Sequence, residues 1–409
     1  MSAVSGTDPS GREAATAWRR VLLVVFAGVA AAMHVGKAPP ALAEIRSDLG
    51  IGLVAAGWVV SLTALVGAVL GAGIGALTDR VGPRGAFLAG LGLLTCGSLA
   101  GAAALAPLQL FVSRAVEGCG LILVLVSAPG LIVYATQPAD RRMAFALWGA
   151  WMPLGLGTMM LLSVPLLHVF GWRAGWLAAA ALTALSGLLL AVAFPRGAGR
   201  AGAARGRVLP RLALAAGRRG PWLLAVSFFF YSMSFITVFG FLPTFLIEGQ
   251  GLSAAEAVPL TALAVYGNAA GNVAAGGLLR RGWPRWALMA LACCAMGAAS
   301  FGIFAASMPG LVRYALCLVF AVVGGLLPAT VLGAAAAFAP RPDLVGTVNG
   351  MIVQGINCGQ LVGPPALALI VSTAGGWSSA PLLLAGAALA GLAAAFGIRR
   401  VERRAAALR

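Results

Sequence analysis

The sequence predicts an all-α protein that crosses a membrane about twelve times, and three observations support this fold class. Of its 409 residues, 61% are hydrophobic and only 10% are charged, whereas about 25% of the residues in a soluble domain are charged. The apolar residues form blocks of roughly twenty, each long enough to cross ~30 Å of hydrocarbon. The blocks lack the alternation of apolar and polar residues found in barrel strands, so the backbone must hydrogen-bond within helices.

The polar breaks between these blocks define the predicted spans. They lie at residues 21–42, 52–77, 86–106, 108–135, 143–168, 173–194, 222–246, 256–279, 286–306, 310–338, 345–373 and 379–397. The residues before the first block are polar and end in Arg19 and Arg20. A signal peptide is the alternative interpretation, but the run has no clear small-residue cleavage site and leads into a second span. We therefore expect an uncleaved first helix.

The positively charged residues decide the predicted orientation. One side of the bundle carries Arg12, Arg19, Arg20, Arg80, Arg84, Arg141, Arg142, the arginines in 196–219, Arg280, Arg281, Arg285, Arg341 and those after 398. On the other side, only Arg46 and Arg173 fall in loops. The positive-inside rule then places both termini in the cytoplasm. Lysine is almost absent while alanine and glycine are abundant, which hints at a GC-rich bacterial genome and hence at a bacterial inner membrane.

The longest internal break divides the chain into two halves. Residues 196–220 are rich in arginine and contain no acid. They predict a basic cytoplasmic linker between an N-terminal half, 1–195, and a C-terminal half, 221–409; a stripe that recruits anionic lipid is the alternative. The halves repeat each other, because residues 36–44 match residues 240–248. Such a duplicated unit places a pore on the axis between the halves.

The turn after the second predicted span carries the strongest local motif, in residues 75–84. It resembles the signature of the major facilitator superfamily, a glycine, three further residues, Asp-Arg, a second glycine and a basic residue. The matching positions are Gly75, Asp79, Arg80, Gly82 and Arg84. The resemblance implies a gating role, since Asp79 can hold a neighbouring helix end or an arginine. A capped turn without a gating role is the alternative.

The resemblance to the superfamily covers essentially the whole chain. It implies a fold of twelve helices in two pseudo-symmetric six-helix halves, and a transporter that works by alternating access. A narrower similarity, carried by residues 34–42 and 349–365, is to small bacterial exporters that include siderophore and drug efflux proteins.

The fourth predicted span carries a second motif that resembles the superfamily. Arg114, Gly118 and Gly120 match it, and Glu117 stands where glutamine is common. Glu117 is the only acid well inside a predicted span, and ionisable residues at membrane depth are functional by default. Arg114 and Glu117 lie on one helix face and can pair, and a proton arriving on Glu117 would break the pair. We predict that Glu117 carries a proton, with a purely structural ion pair as the alternative.

Further cations in the predicted spans favour an anionic substrate. Lys37 and Arg313 can line a cavity together with Arg114, and three cations against one carboxylate suit an anionic or carboxylate-bearing molecule. The alternative for Lys37 and Arg313 is that they snorkel toward the outer interface. His34 is a candidate proton relay, although a lone histidine in an apolar segment is more often a hydrogen-bonded core residue.

Polar side chains in three later spans are further candidate substrate ligands. They are Tyr231 in the seventh span, Asn268 and Asn272 in the eighth, and Gln354 and Asn357 in the eleventh. Amides inside a membrane need a polar partner. That partner is either a substrate or a neighbouring helix, and both interpretations stay open.

These features favour a transporter over other classes. No nucleotide-binding loop of the Gly-x-x-x-x-Gly-Lys type occurs, so ATP is not the predicted energy source. The cysteines show no metal-ligand pattern, and the chain lacks the paired acids or histidine cluster of an intramembrane enzyme. Because the arginines flank the spans, the net charge of +17 does not indicate nucleic acid.

The resulting prediction is a proton-coupled antiporter that exports a small organic molecule, drug-like or siderophore-like. Uptake of a small organic anion is the alternative, and a non-transporting membrane sensor is an alternative of another class. We expect no cofactor and no metal, and a monomer whose partners are the lipid bilayer, protons and the small-molecule substrate.

Overall fold

Long helices make up most of the part of the chain that the computed structural model describes, which is residues 15–71, 81–199, 208–341 and 344–407. They are α1 (Trp18–Leu49), α2 (Leu53–Gly71), α3 (Pro83–Ala102), α4 (Pro107–Ala135), α5 (Arg141–Phe170), α6 (Trp172–Ala193), α7 (Arg219–Gly249), α8 (Ala254–Arg280), α9 (Arg285–Phe304), α10 (Gly310–Phe338), α11 (Val345–Thr373) and α12 (Trp377–Arg404). A short helix, Val208–Ala216, precedes α7. No strand occurs in these ranges, and the predicted all-α class is confirmed.

One of the long helices is less apolar than the others. Among the described residues, 11 helices are long and apolar enough to cross a membrane, judged by length and composition. The exception, α8, has 27 residues and is long enough, but Asn268, Asn272 and several glycines lower its hydropathy. The prediction of twelve spans is therefore confirmed approximately.

Two interruptions of the helices lie near the predicted site. α1 breaks at Lys37, because Pro39 and Pro40 have no N–H group with which to continue the helical hydrogen bonds. α2 contains a 3-10 turn at Leu62–Ala64. Carbonyl groups near such interruptions can accept hydrogen bonds from side chains of neighbouring helices.

The helices pack mainly within two sets, α1 to α6 and α7 to α12. In the first set α3 packs on α4 and α6, and α1 packs on α5. In the second set α7 packs on α11, and α9 packs on α10 and α12. The two sets meet where α2 contacts α11 and where α5 contacts α8. We call these two contacts the α2–α11 seam and the α5–α8 seam.

The α2–α11 seam depends on close approach of the two backbones. A Cβ atom added to Gly57 in α2 would lie 3.0 Å from backbone atoms of both Pro364 and Pro365 in α11. Farther along the seam, Gln354 Nε2 donates a hydrogen bond of 3.0 Å to Ala68 O. Small residues permit this kind of helix contact in membranes. Bulkier side chains at Gly57 would push the two sets apart.

Further contacts between the two sets lie along the α5–α8 seam and at one end of the bundle. Thr158 Oγ1 in α5 and Tyr266 OH in α8 are 2.9 Å apart. At the ends of α1 and α7, Arg46 Nη1 donates to Glu248 Oε1 over 2.6 Å. We call Arg46 and Glu248 the outer ion pair, because the positive-inside rule predicts that this end faces the exterior. It joins the two sets at that end.

Candidate functional site

Four ionisable side chains meet inside the first set of helices, and we call them the ionic cluster: His34, Lys37, Arg114 and Glu117. Glu117 is at the centre, with Oε1 accepting a hydrogen bond from Lys37 Nζ and lying 3.1 Å from His34 Nδ1. Its other oxygen, Oε2, accepts a hydrogen bond of 2.5 Å from Arg114 Nη1. The side chains of Glu117, Lys37 and Arg114 are 0% exposed. The predicted Arg114–Glu117 pair is present, and it is fully buried.

Helical spacing explains how two helices supply the four side chains. His34 and Lys37 are three residues apart on α1, and Arg114 and Glu117 are three residues apart on α4, so each pair lies on one helix face. Glu117 is ten residues after the start of α4 at Pro107. At 1.5 Å per residue it lies about 15 Å from that helix end, at membrane depth. Charged groups this deep are costly and usually functional.

The Arg114 guanidinium also holds three helices together. Its Nη1 donates to His34 O over 2.7 Å, at the interruption of α1. Its Nε donates to Val59 O in α2, shortly before the 3-10 turn, over 2.8 Å. A planar guanidinium can donate in several directions at once, which an ammonium group cannot do with the same geometry. Arg114 therefore links α4 to α1 and α2 while it pairs with Glu117.

A shell of neutral groups surrounds Lys37 and His34. Lys37 Nζ donates to Ser98 Oγ in α3 over 2.6 Å and lies 4.6 Å from the centre of the Trp176 ring in α6. His34 Nε2 lies 3.5 Å from Thr183 Oγ1, also in α6. Ser98, Trp176 and Thr183 are not predicted from the sequence, because nothing in the sequence pattern links side chains on different helices. All named partners of the ionic cluster lie in the first set of helices.

A family model described as the Major Facilitator Superfamily matches residues 22–355 of the chain. The chain belongs to this superfamily. Its curated relatives in the superfamily include the cephamycin export protein of Amycolatopsis lactamdurans, 31% identical over 144 residues, which are 35% of this chain and 30% of the relative. The methylenomycin A resistance protein of Bacillus subtilis is 29% identical over 156 residues, 37% of this chain and 33% of the relative.

The matched segment spans about a third of the length of these superfamily relatives. Solved superfamily structures with similar folds cover nearly the whole chain. A D-xylose–proton symporter has a TM-score of 0.76 at 14% identity and covers 94% of this chain and 97% of its own. The nucleoside transporter NupG has a TM-score of 0.75 at 16% identity, with coverages of 93% and 99%. At these identities the structures establish the fold alone.

Arg313 is separate from the ionic cluster of this superfamily member. Its Nη2 donates to Ala305 O and to Met308 O, over 2.9 Å each, and its guanidinium lies 5.3 Å from the centre of the Phe245 ring. The expectation that Lys37, Arg114 and Arg313 share one cavity is therefore not met. Arg313 stabilises the turn between α9 and α10. Lys37 and Arg114 are themselves buried and do not line an open cavity in this conformation.

The predicted polar ligands of α7 and α8 contact neighbouring helices. Asn268 Nδ2 donates to Tyr231 OH over 2.8 Å and to Ala321 O in α10 over 3.0 Å. Asn272 Nδ2 donates to Asn268 O and Oδ1, over 3.0 and 3.1 Å. We call Tyr231, Asn268 and Asn272 the amide network. In this conformation it connects α7, α8 and α10, which is the helix-contact alternative.

Replacing Asn268 with alanine is expected to lower the free energy of unfolding by about 1 kcal/mol, because hydrogen bonds between membrane helices contribute about that much. Thermal unfolding of the purified protein in detergent measures the loss. Asn272→Ala is the matched control, since it removes bonds within α8 only, and it should cost less. Weaker substrate binding by Asn268→Ala at unchanged stability would instead make Asn268 a substrate ligand.

The two predicted polar residues of α11 face α2. Gln354 donates to Ala68 O across the α2–α11 seam. Asn357 Nδ2 donates to Val353 O of its own helix over 2.8 Å, and a Cβ atom added to Gly67 of α2 would lie within 2.6 Å of Asn357 Nδ2. Both side chains therefore take part in the contact between the two sets of helices.

The superfamily turn motif is described only in part. Three of its predicted gating residues lie outside the described part of the chain: Gly75, Asp79 and Arg80. Gly82 has a φ of +84°, a backbone conformation that favours glycine. Arg84 Nε and Nη2 donate to Phe194 O and Ala191 O, over 2.8 Å each. Arg84 thus fastens the start of α3 to the end of α6.

Among the described residues, no group of three histidine, cysteine, aspartate or glutamate side chains is placed to hold a metal ion. The ionic cluster can gain or lose a proton, and this changes its net charge. Arg114 belongs both to this cluster and to the contacts that link α4 to α1 and α2.

Proposed function

We propose that this superfamily transporter exports a small organic molecule by proton-coupled alternating access, in a bacterial inner membrane and with both termini in the cytoplasm. The observation that carries the proposal is the ionic cluster, a fully buried set of titratable groups at membrane depth. Maintaining charges there is costly, and burying a structural ion pair stabilises little compared with apolar packing. A role in coupling explains why the chain keeps them.

The names of the relatives support export over uptake. The cephamycin export protein, the methylenomycin A resistance protein and the multidrug resistance protein Stp of Mycobacterium tuberculosis are each similar to about a third of this chain. Those names concern antibiotics and drugs, which are small organic molecules. A siderophore-like substrate rests on the narrower sequence similarity in residues 34–42 and 349–365.

Proton binding would act on the helices through Arg114. When the charge of the ionic cluster changes, the Arg114–Glu117 pair and the bonds from Arg114 to α1 and α2 respond together, since they share one guanidinium. Rocking of the two sets about the α2–α11 and α5–α8 seams would then expose the site to either side. Opening toward the exterior would break the outer ion pair, and residues 75–84 would act as the latch on the cytoplasmic side.

Uptake of a small organic anion is the second candidate function. With Lys37 and Arg114 charged and Glu117 ionised, the ionic cluster has an excess of positive charge, which favours an anion nearby. A non-transporting sensor is a candidate of another class, and it would bind a solute without moving it.

Flux into proteoliposomes distinguishes these functions. An antiporter accumulates its substrate in vesicles with an acidic interior, whereas a symporter accumulates it in vesicles with an alkaline interior. For one exchanged proton, each pH unit supports about tenfold accumulation. The probes are a cephamycin, an anionic siderophore, a lipophilic cation and small carboxylates. Glu44→Gln is the control, since Glu44 is an exposed acid on α1 and its loss should leave flux unchanged.

If the probe accumulates only in vesicles with an alkaline interior, the protein is a symporter, and uptake replaces export as the proposed function. Flux that does not respond to pH would contradict proton coupling. Binding of a probe without flux in either gradient would support the sensor.

A further inference from the structure

The charges of the ionic cluster do not balance when every group has its usual protonation state. Lys37 and Arg114 are cations, Glu117 is the one carboxylate, and these three side chains have no exposed surface. His34 is beside them and fully buried. The cluster then has one excess positive charge among fully buried side chains, where an uncompensated charge is strongly unfavourable. Removing a single proton makes the cluster neutral.

Only one of the groups can release that proton and leave a neutral cluster with its pairing intact. The Arg114 guanidinium does not deprotonate in proteins. Protonating Glu117 would leave two adjacent cations without a counter-ion. Deprotonating Lys37 leaves the Arg114–Glu117 pair, which is neutral and keeps its hydrogen bond.

A proton that returns to the neutral cluster can bind to the Lys37 amine or to the Glu117 carboxylate. In water a lysine amine holds its proton about 6 pH units more strongly than a glutamate carboxylate. Next to Glu117, a protonated Lys37 also gains the attraction of the carboxylate, which the neutral acid would lose. A proton that enters the neutral cluster therefore binds to the Lys37 amine.

The surroundings of Lys37 suit both of its protonation states. With His34 as the tautomer protonated at Nδ1, the Lys37 ammonium donates to Glu117 Oε1 and, over 2.6 Å, to Ser98 Oγ, while His34 Nδ1 donates to Glu117 Oε1. When Lys37 is a neutral amine, the same Nδ1–H group, whose nitrogen is 3.2 Å from Nζ, can donate to the nitrogen lone pair, so His34 keeps one tautomer in both states. The remaining group beside Lys37 is the ring of Trp176. Across α1, α3, α4 and α6, the described titratable neighbours of Lys37 are His34, Arg114 and Glu117.

We infer that Lys37 gains and loses the coupling proton, and that Glu117 stays ionised as the counter-ion that Lys37 shares with Arg114. The step is the addition of a proton to the Lys37 amine to give the ammonium, with no other bond formed or broken. This inference rests on the proposed proton coupling, and it moves the proton from the predicted carrier Glu117 to its neighbour.

Lys37 is the single lysine of the chain, which makes a direct test possible. In protein labelled with ¹⁵N-lysine, the one side-chain signal reports whether Lys37 is an amine or an ammonium. We expect the signal to change with pH over the range in which transport becomes proton-driven, and addition of a transported probe to shift its midpoint. An ammonium signal at every pH, with the infrared band of a protonated carboxyl following the transport profile, would overturn the inference.

Lys37→Arg provides a second test, because arginine keeps the charge but cannot release the proton. Thermal unfolding of the purified variant in detergent shows whether it folds. Accumulation driven by one pH unit should fall from about tenfold to none. Accumulation that persists in Lys37→Arg would overturn the inference. Absence of proton-driven flux in the wild type would reject the proposed coupling instead, and the titration of Lys37 could still be measured.

Discussion

Replacing Glu117 with glutamine is expected to destabilise the protein more than any other single change in the ionic cluster. Glu117 is the shared partner of Lys37, Arg114 and His34. Glutamine has nearly the same shape but no charge, so Arg114 would be left as a buried cation without a counter-ion. Breaking a buried pair in this way costs about 3–5 kcal/mol. The same substitution should abolish proton-driven flux.

Thermal unfolding in detergent and flux in proteoliposomes measure the two effects. Lys37→Met is the informative comparison, because it leaves the Arg114–Glu117 pair intact and neutral. It should cost less than about 2 kcal/mol, the loss of the hydrogen-bond partner of Ser98 and His34. Glu44→Gln should change neither measurement. If Lys37→Met destabilised the protein as much as Glu117→Gln, the charge balance described for the cluster would be wrong.

Replacing Gly57 with leucine is expected to block alternating access. The position faces the backbone of α11 at Pro364 and Pro365, which cannot move aside as a flexible side chain would. The larger residue must separate α2 from α11 and weaken closure along this seam. Overpacking of this kind costs about 1–3 kcal/mol. Flux should fall to the background level of empty vesicles.

Gly52→Leu is the matched control, at the N-cap position directly before α2. A Cβ atom added to Gly52 meets no atom within 4 Å, so leucine there should leave flux and the unfolding temperature close to those of the wild type. Normal flux in Gly57→Leu would contradict the prediction, because it would show that transport does not need close contact between α2 and α11 at Gly57.

Much of the helical framework can be predicted from the sequence, because each membrane helix corresponds to one continuous block of apolar residues. The Arg114–Glu117 pair is also local, since residues three apart on a helix share a face. The contact of Lys37 with Glu117 is different. The two residues are 80 positions apart, and only the packing of α1 against α4 brings them together.

The position of Arg313 shows a limit of reasoning from internal repeats. Arg313 corresponds to Arg114 in the second half, but the residue three positions later is Leu316, and Phe241 occupies the place of Lys37. The repeat therefore preserves one cation without its acidic partner. A guanidinium without a carboxylate turns to backbone carbonyls, here those of Ala305 and Met308.

The amide residues illustrate a second limit. Their presence in the membrane shows that they need polar partners, but a substrate and a neighbouring helix satisfy an amide equally well. Asn268 finds its partners in Tyr231 and in Ala321 O. Those partners come from α7 and α10, and no pattern within α8 identifies them.

The low hydropathy of α8 has a consequence for how the protein is made. During synthesis α8 follows α7 into the bilayer, and its two asparagines make it a poor candidate for insertion alone. Tyr231 is already present on α7 when Asn268 emerges, so the first hydrogen bond can form between these two helices. The second acceptor, Ala321 O, arrives only with α10. The amide network therefore implies that α8 inserts into the bilayer together with α7. It reaches its final position only when α10 has inserted.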